Sequence, residues 1–156
     1  PIGLPQAVIA KFLAAWLFLG LAIALTCPMV FTVYYLGQPD GGAILSGYIG
    51  CLLLSGAYLA VGALTSAMTR NQVISFVISF VICMFLLMAG WPPVTEMLSQ
   101  WAPNWLVNGV AAFSVISHFE SIQRGVLDAR DFVYYFSVMG VMLFGAQMIL
   151  ENRKSA

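Results

Sequence analysis

The sequence predicts an all-α, polytopic helical membrane protein, and three observations predict it. The stretch from Gly41 to Thr69 contains no charged residue. As a helix rising about 1.5 Å per residue, it exceeds the ~30 Å hydrocarbon core of a bilayer. Three further apolar runs accompany it along the chain. Finally, apolar residues make up 62% of the chain and charged residues 8%, against about 25% in a soluble domain, which leaves too few charges to solvate a globular surface.

Four transmembrane helices are expected from the runs. The first is expected at about residues 12–35, with Pro28 inside it as a kink that membrane helices tolerate. The turn Gly37-Gln38-Pro39-Asp40-Gly41-Gly42 then breaks any helix. The second span is expected at 44–68 and the third at 73–91, ending at Pro92-Pro93. The fourth, at 132–150, precedes a short tail from Glu151 to Ala156.

The remaining segment, 92–131, is an outer loop, long for a simple connector. It carries a helical stretch from about Gly109 to Gln123. Ala112, Ile116, Phe119 and Ile122 fall on one face of it, and Ser114, Ser117, Ser121 and Arg124 on the other. Re-entrant or interfacial helices before the last span are the expectation. Gly125 is placed to end the stretch. Asp128 is placed to cap the fourth span, with Asp131 in its first turn. The chain reads as a single transmembrane domain. Its start at Pro1 rather than Met reads as a fragment of a longer polypeptide.

Basic residues near span ends set orientation. If the spans alternate, Lys11, Arg70, Arg153 and Lys154 share one side. The other side holds Asp40, Glu96, Glu120, Asp128 and Asp131 against Arg124 and Arg130. Both ends of the chain are therefore expected in the cytoplasm. Tyr34, Tyr35, Tyr48, Trp91, Tyr134 and Tyr135 fall at outer span ends, as an aromatic belt would.

The second span is rich in small residues, which permit close helix approach in lipid. Gly47, Cys51 and Ser55 form one such face, which places this span at the centre of a bundle or at a subunit contact. The third span carries a thin stripe of Ser75, Ser79 and Cys83. That stripe is either a helix-packing seam or, through Ser75 and Ser79, a wall of a substrate path.

The sequence is poor in chemistry. The six basic and six acidic residues cancel, which gives no sign of a nucleic-acid partner. No phosphate-binding loop is present. Cys27, Cys51 and Cys83 match no zinc, haem or disulfide spacing and read as apolar packing residues. His118 is the one histidine, which excludes a multi-histidine metal site and reads as an interfacial residue or a proton switch. Glu120 and Arg124 stand at i,i+4, the spacing of a helix-surface ion pair. Ser46-Gly47 distantly resembles the nucleophile motif of intramembrane serine proteases. The glycine required two residues earlier is Ile44, however, and His118 lies in the outer loop, so the nucleophile lacks its base. No span carries a buried charge, which argues against an ion-coupled pump.

The run from Ile116 through His118, Phe119, Glu120, Arg124, Gly125 and Asp128 to Asp131, with Phe132-Val133-Tyr134-Tyr135 after it, resembles the C-terminal part of bacterial ABC transporter permeases. It looks most like the type-2 exporter class, in the branch of gliding-motility and nitrous-oxide-reductase-maturation permeases. The opening Leu4-Pro5 and Lys11-Phe12-Leu13-Ala14-Ala15 is similar to the entry of that family's third span. The resemblance implies six spans in a complete subunit, of which this chain supplies the last four. It implies short re-entrant helices over 92–131, forming an outer gate that includes the motif residues named above. It also implies a second permease subunit, as homo- or heterodimer, and cytoplasmic ATPase subunits that bind the ATP, so that this chain holds no cofactor and no ATPase site of its own. The expected setting is the bacterial inner membrane. A non-transporting membrane scaffold or assembly factor would share the composition and is the alternative.

Overall fold

The computed structural model describes residues 3–155. They form eight α-helices and, among the described residues, no strand: α1 (Leu4–Ala24), α2 (Cys27–Leu36), α3 (Gly41–Met68), α4 (Gln72–Met88), α5 (Pro92–Trp101), α6 (Asn104–Ala112), α7 (Val115–Gln123) and α8 (Ala129–Ser155). The all-α polytopic expectation holds. Three stretches are long and apolar enough to cross a membrane: Leu4–Leu36, which comprises α1 and α2, then Gly41–Met68 and Ala129–Ser155. A fourth exists only if α4 and α5, bent by 78° at their junction, count as one.

Each break has a local cause. The first span begins at Leu4 rather than near Phe12, because Pro5 suits the first helical turn and Gly3 N–H donates to Gln6 Oε1 at 3.2 Å. It divides at Leu25–Thr26 because Pro28 lacks an N–H and its ring would strike the carbonyl of Ala24 in a continuous helix. Thr26 donates both its N–H, at 3.1 Å, and its hydroxyl, at 2.6 Å, to Ile23 O, which tightens the end of α1. Asp40 caps α3 by accepting from Gly42 N at 3.0 Å, and Asn71 caps α4 by accepting from Val73 N at 2.9 Å.

The third span stops at Met88, short of Trp91 and of the roughly 20 residues a crossing needs. The cause is Pro92-Pro93. A proline biases the residue before it towards extended backbone, and Trp91 adopts φ −71°, ψ 129°. The same prolines fit the first turn of a new helix, so α5 starts at once in another direction. The stretch expected to be one helix from Gly109 to Gln123 is two. α6 ends at Ala112, and α7 restarts after Phe113 and an extended Ser114 at φ −71°, ψ 132°.

α3 is the axis of the molecule. It packs against α1, α4, α7 and α8, most extensively against α8. Gly50 faces Ile122, Gly56 faces Met139, Leu64 faces Gly145, and the Met68 carbonyl accepts from Arg153. Gly50 meets α7, and the contacts of Gly56, Leu64 and Met68 with α8 advance together along the two helices, so α3 and α8 run parallel. The buried face of α3 is Ser46, Gly50, Leu53, Ala57 and Ala60, a spacing near 3.5 residues that keeps one seam against its partner. The expected Gly47, Cys51 and Ser55 face is not this seam. A Cβ on Gly47 would meet nothing within 4 Å, and Cys51 is exposed. Cys27 is exposed as well and Cys83 half-buried, so the cysteines do not form the packing core.

α1 is held by Trp16, whose Nε1–H donates to Leu52 O at 2.8 Å, and by Phe12 in the core. Elsewhere it turns Leu17, Phe18 and Leu21 outward, as a lipid-facing helix does. The bundle has two chemically different ends. Leu4, Pro5, Glu151, Lys154 and Ser155 meet at one, beside the Met68–Arg153 contact. The other holds the α2–α3 turn, α7 and the start of α8, with Gly125 beside Ala43.

The parallel seam depends on Gly56, where a Cβ would lie 2.9 Å from Met139 Cε and 3.0 Å from Trp16 Cε2. Gly56→Leu is expected to force α8 and α1 apart and to cost about 1–3 kcal/mol. Gly47→Ala, in open space, should leave stability unchanged or slightly raised. Thermal unfolding of both variants in detergent micelles checks the pair.

Candidate functional site

α7 is a short helix fixed at both ends. At its N-terminal end, Gly90 lies so close that a Cβ there would stand 2.5 Å from Ser114 Cβ and 2.6 Å from Ser117 Oγ, and closer still to Ser114 Oγ. Only a residue without a side chain lets the end of α4 approach α7 this way. At its C-terminal end, Gly125 adopts φ +89°, the one positive φ among the described residues. Gly125 N–H donates to Ile122 O at 3.0 Å and Val126 N–H to Ser121 O at 3.3 Å, the paired bonds of a Schellman cap. Between these ends, Val115 and Ile122 are buried, and Ile122 and Phe119 lie against Gly50 of α3. The inward face is thus not the expected set: Ala112 is exposed, whereas Ser114 is fully buried.

On this frame His118 meets the first turn of α8. Its Nδ1 lies 2.7 Å from Asp131 Oδ1, and its Nε2 lies 2.9 Å from Ala112 O. Its ring stacks on Tyr134, with centroids 3.9 Å apart and planes at 14°. Tyr134 donates its hydroxyl to Phe113 O, and Tyr135, fully buried, donates to Val115 O at 3.1 Å. Two carbonyls left open at the end of α6, those of Ala112 and Phe113, are therefore bound by His118 and Tyr134, while Tyr135 bonds the Val115 carbonyl in the first turn of α7.

The proton count of the pair is set by its neighbours. A carbonyl oxygen only accepts, so Nε2 carries a hydrogen. The remaining hydrogen lies between Nδ1 and Asp131 Oδ1. If it sits on nitrogen, the pair is imidazolium and carboxylate; if on oxygen, imidazole and carboxylic acid. Both forms are neutral overall and hold one proton between two atoms. Asp131 is 5% exposed, sits in the first turn of α8 where the helix dipole favours negative charge, and leaves Oδ2 buried with no hydrogen bond among the described residues. Ser114 Oγ is buried and unpartnered in the same way. Unmet polar atoms of this kind cost about 1–3 kcal/mol each.

Of the motif residues, the structure joins His118 to Asp131 and uses Phe119 and Gly125 to seat α7. Asp128 accepts from Arg130 N at 3.2 Å and opens α8, as its position implies. Glu120 and Arg124 are exposed, and the expected ion pair between them does not form: the His118–Asp131 contact is the one salt bridge among the described residues. Ser75 and Ser79 stand together away from this site. Ser79 shares a hydrogen bond with Thr65 Oγ1, and Ser75 donates to Thr65 at 3.5 Å, so both hydroxyls face α3. Ser46 bonds Gly42 O and Ala43 O in its own helix. The nitrogen of His118 that a protease nucleophile would need is bound to Ala112 O. No group of three or more potential metal-ligating side chains occurs among the described residues.

Sequence reasoning missed Gly90 and Thr65, placed the buried Ser114 on the polar face of the outer helix, and treated Tyr134 and Tyr135 only as belt residues. A signal for the tyrosines existed. They stand three and four positions after Asp131, the spacing that stacks side chains on one helical face. No protein-family model matches the chain, and neither a curated protein nor a solved structure does.

If His118 and Asp131 act as one unit, a double-mutant cycle with His118→Ala and Asp131→Ala should return a coupling of about 0.5–3 kcal/mol. Each single variant leaves a buried partner unpaired, so the double variant should be little worse than either alone. Unfolding midpoints of the four proteins measure this, and purely additive losses would contradict the pairing.

Proposed function

We propose that this chain is the membrane-spanning permease portion of an ATP-driven transporter, an exporter of the type-2 class in a bacterial inner membrane. The observation that carries the reading is the arrangement after α4. The chain bends by 78° at Pro92-Pro93 and runs through α5 and α6 with no buried residue. It then returns through α7 onto α3 and α8 at the end opposite Lys11, Arg70, Arg153 and Lys154. Helices α5 and α6 thus stand off the bundle, packed mainly on each other, and α7 alone seats the segment on it. The resemblance of residues 116–135 to that class of permease points the same way.

In this reading the end with Lys11, Arg70, Arg153 and Lys154 faces the cytoplasm, and the cap of α5, α6 and α7 lies on the outer side as a gate. The His118–Asp131 pair fastens the cap to α8. Helices α3 and α4 contain no charged residue, and the charges of α8 sit near its two ends. Energy for transport therefore enters from outside the membrane, through cytoplasmic ATPase subunits that bind the ATP. A second permease subunit completes the path, with the uncovered Gly47 and Cys51 face of α3 as a candidate contact and Ser75 and Ser79 as candidate path-lining residues. The subunit itself does no covalent chemistry and needs no cofactor.

Two measurements check the proposal. With the native cysteines replaced, a membrane-impermeant maleimide should label Val126→Cys in spheroplasts with intact membranes and label Arg70→Cys only after permeabilisation. Labelling of both from one side would contradict the orientation. A full-length subunit should copurify with an ATPase whose turnover depends on it. Failure to associate with any ATPase would favour a scaffold or assembly factor.

A further inference from the structure

At the basic end of the bundle α1, α3 and α8 enclose a cavity of about 410 Å³. Its walls are apolar and mostly small, formed by Ala15, Gly62, Ala63 and Ala146 and closed by Leu59 and Leu150. Its one charged lining residue is Lys11. A Cβ on Gly62 would meet nothing within 4 Å, so the space is open on the α3 side. Lys11 is exposed and forms no ion pair among the described residues. One turn beyond Leu150, Glu151 and Lys154 border a neighbouring recess with Leu4 and Pro5. Glu151 accepts from Gln147 at 3.2 Å, and Arg153 donates to Met68 O. This end thus carries Lys11, Arg70, Arg153 and Lys154 against Glu151 alone.

We propose that this groove binds one anionic phospholipid. An acyl chain lies between α1, α3 and α8, and the phosphate is held by Lys11 with Lys154 a turn away. Charge complementarity selects the headgroup, because basic side chains at a membrane surface attract anionic lipid. The lining suits the tail: Ala15, Leu59, Gly62, Ala63, Ala146 and Leu150 present apolar, mostly small surface along which one hydrocarbon chain can lie. The proposal rests on the membrane reading but not on ATP-driven transport.

The test uses the full chain in detergent, with phosphatidylglycerol or phosphatidylcholine added, and reads retained lipid by native mass spectrometry alongside the unfolding midpoint. Phosphatidylglycerol should be retained one to one and raise the midpoint more than phosphatidylcholine does. Lys11→Gln should lower its retention about fivefold without changing that of phosphatidylcholine. Gly62→Leu, whose Cβ meets nothing within 4 Å, should remove both while leaving the lipid-free midpoint intact. Equal retention of the two lipids, or indifference to both variants, would overturn the proposal. So would a dimer that Gly62→Leu dissociates, since a second copy would then occupy the groove. A chain that fails to partition into lipid vesicles would instead remove the membrane reading, and this site with it.

Discussion

The close approach of α3 to α8 governs the rest of the structure. Lipid tails are as apolar as leucine, so helices in a bilayer gain little from hiding apolar surface against one another. They associate through packing and hydrogen bonds. Gly50, Ala57 and Ala60 let α3 come near enough to its neighbours for both. α3 and α8 run side by side in the same direction along their length, and α1 and α7 settle into the angles this pair leaves. The core that results is small: Tyr135, Met139, Val115, Ile122, Leu53 and Phe12 around a few alanines. Far more large apolar side chains are exposed than buried, the reverse of a water-soluble domain.

A second constraint explains the cap. A backbone carbonyl without a partner is costly wherever water is scarce. Each interruption of a helix releases such groups, and the outer segment has several interruptions. At the α6–α7 break, His118 and Tyr134 bind the open carbonyls of Ala112 and Phe113, and Tyr135 bonds Val115 O in the first turn of α7. Because the rings of Tyr134 and Tyr135 belong to α8, satisfying the break also fixes the cap to the bundle. Local backbone chemistry and tertiary attachment are the same set of bonds.

How far the sequence discloses this depends on the kind of signal. Hydropathy is summed over many residues, so the apolar helices were legible, as were the helix-end signals at Gly125 and Asp128. Pro92-Pro93 marked the end of the third span but not the direction of the next helix, since a bend angle is set by packing. The seam of α3 lies one residue away from the face expected. Composition could not decide it, because small residues line both faces of that helix: Ser46, Gly50 and Ala57 on one, Gly47, Cys51 and Ser55 on the other. Only the partner selects between them. The His118–Asp131 contact was half legible. Both residues belonged to the motif, but the extended turn at Ser114 that brings His118 round to Ala112 left no periodic trace.

The hydroxyl cluster of Thr65, Ser75 and Ser79 has a mechanical consequence. α4 buries no residue, and these side chains are its polar attachment to α3. Thr65 also bonds Gly62 O within its own helix at 3.0 Å, and a serine can turn back to a carbonyl one turn earlier. Sliding α4 away therefore strands no hydroxyl. The polar part of the hold between α3 and α4 is thus reversible: each hydroxyl that lets go has a carbonyl of its own helix to return to.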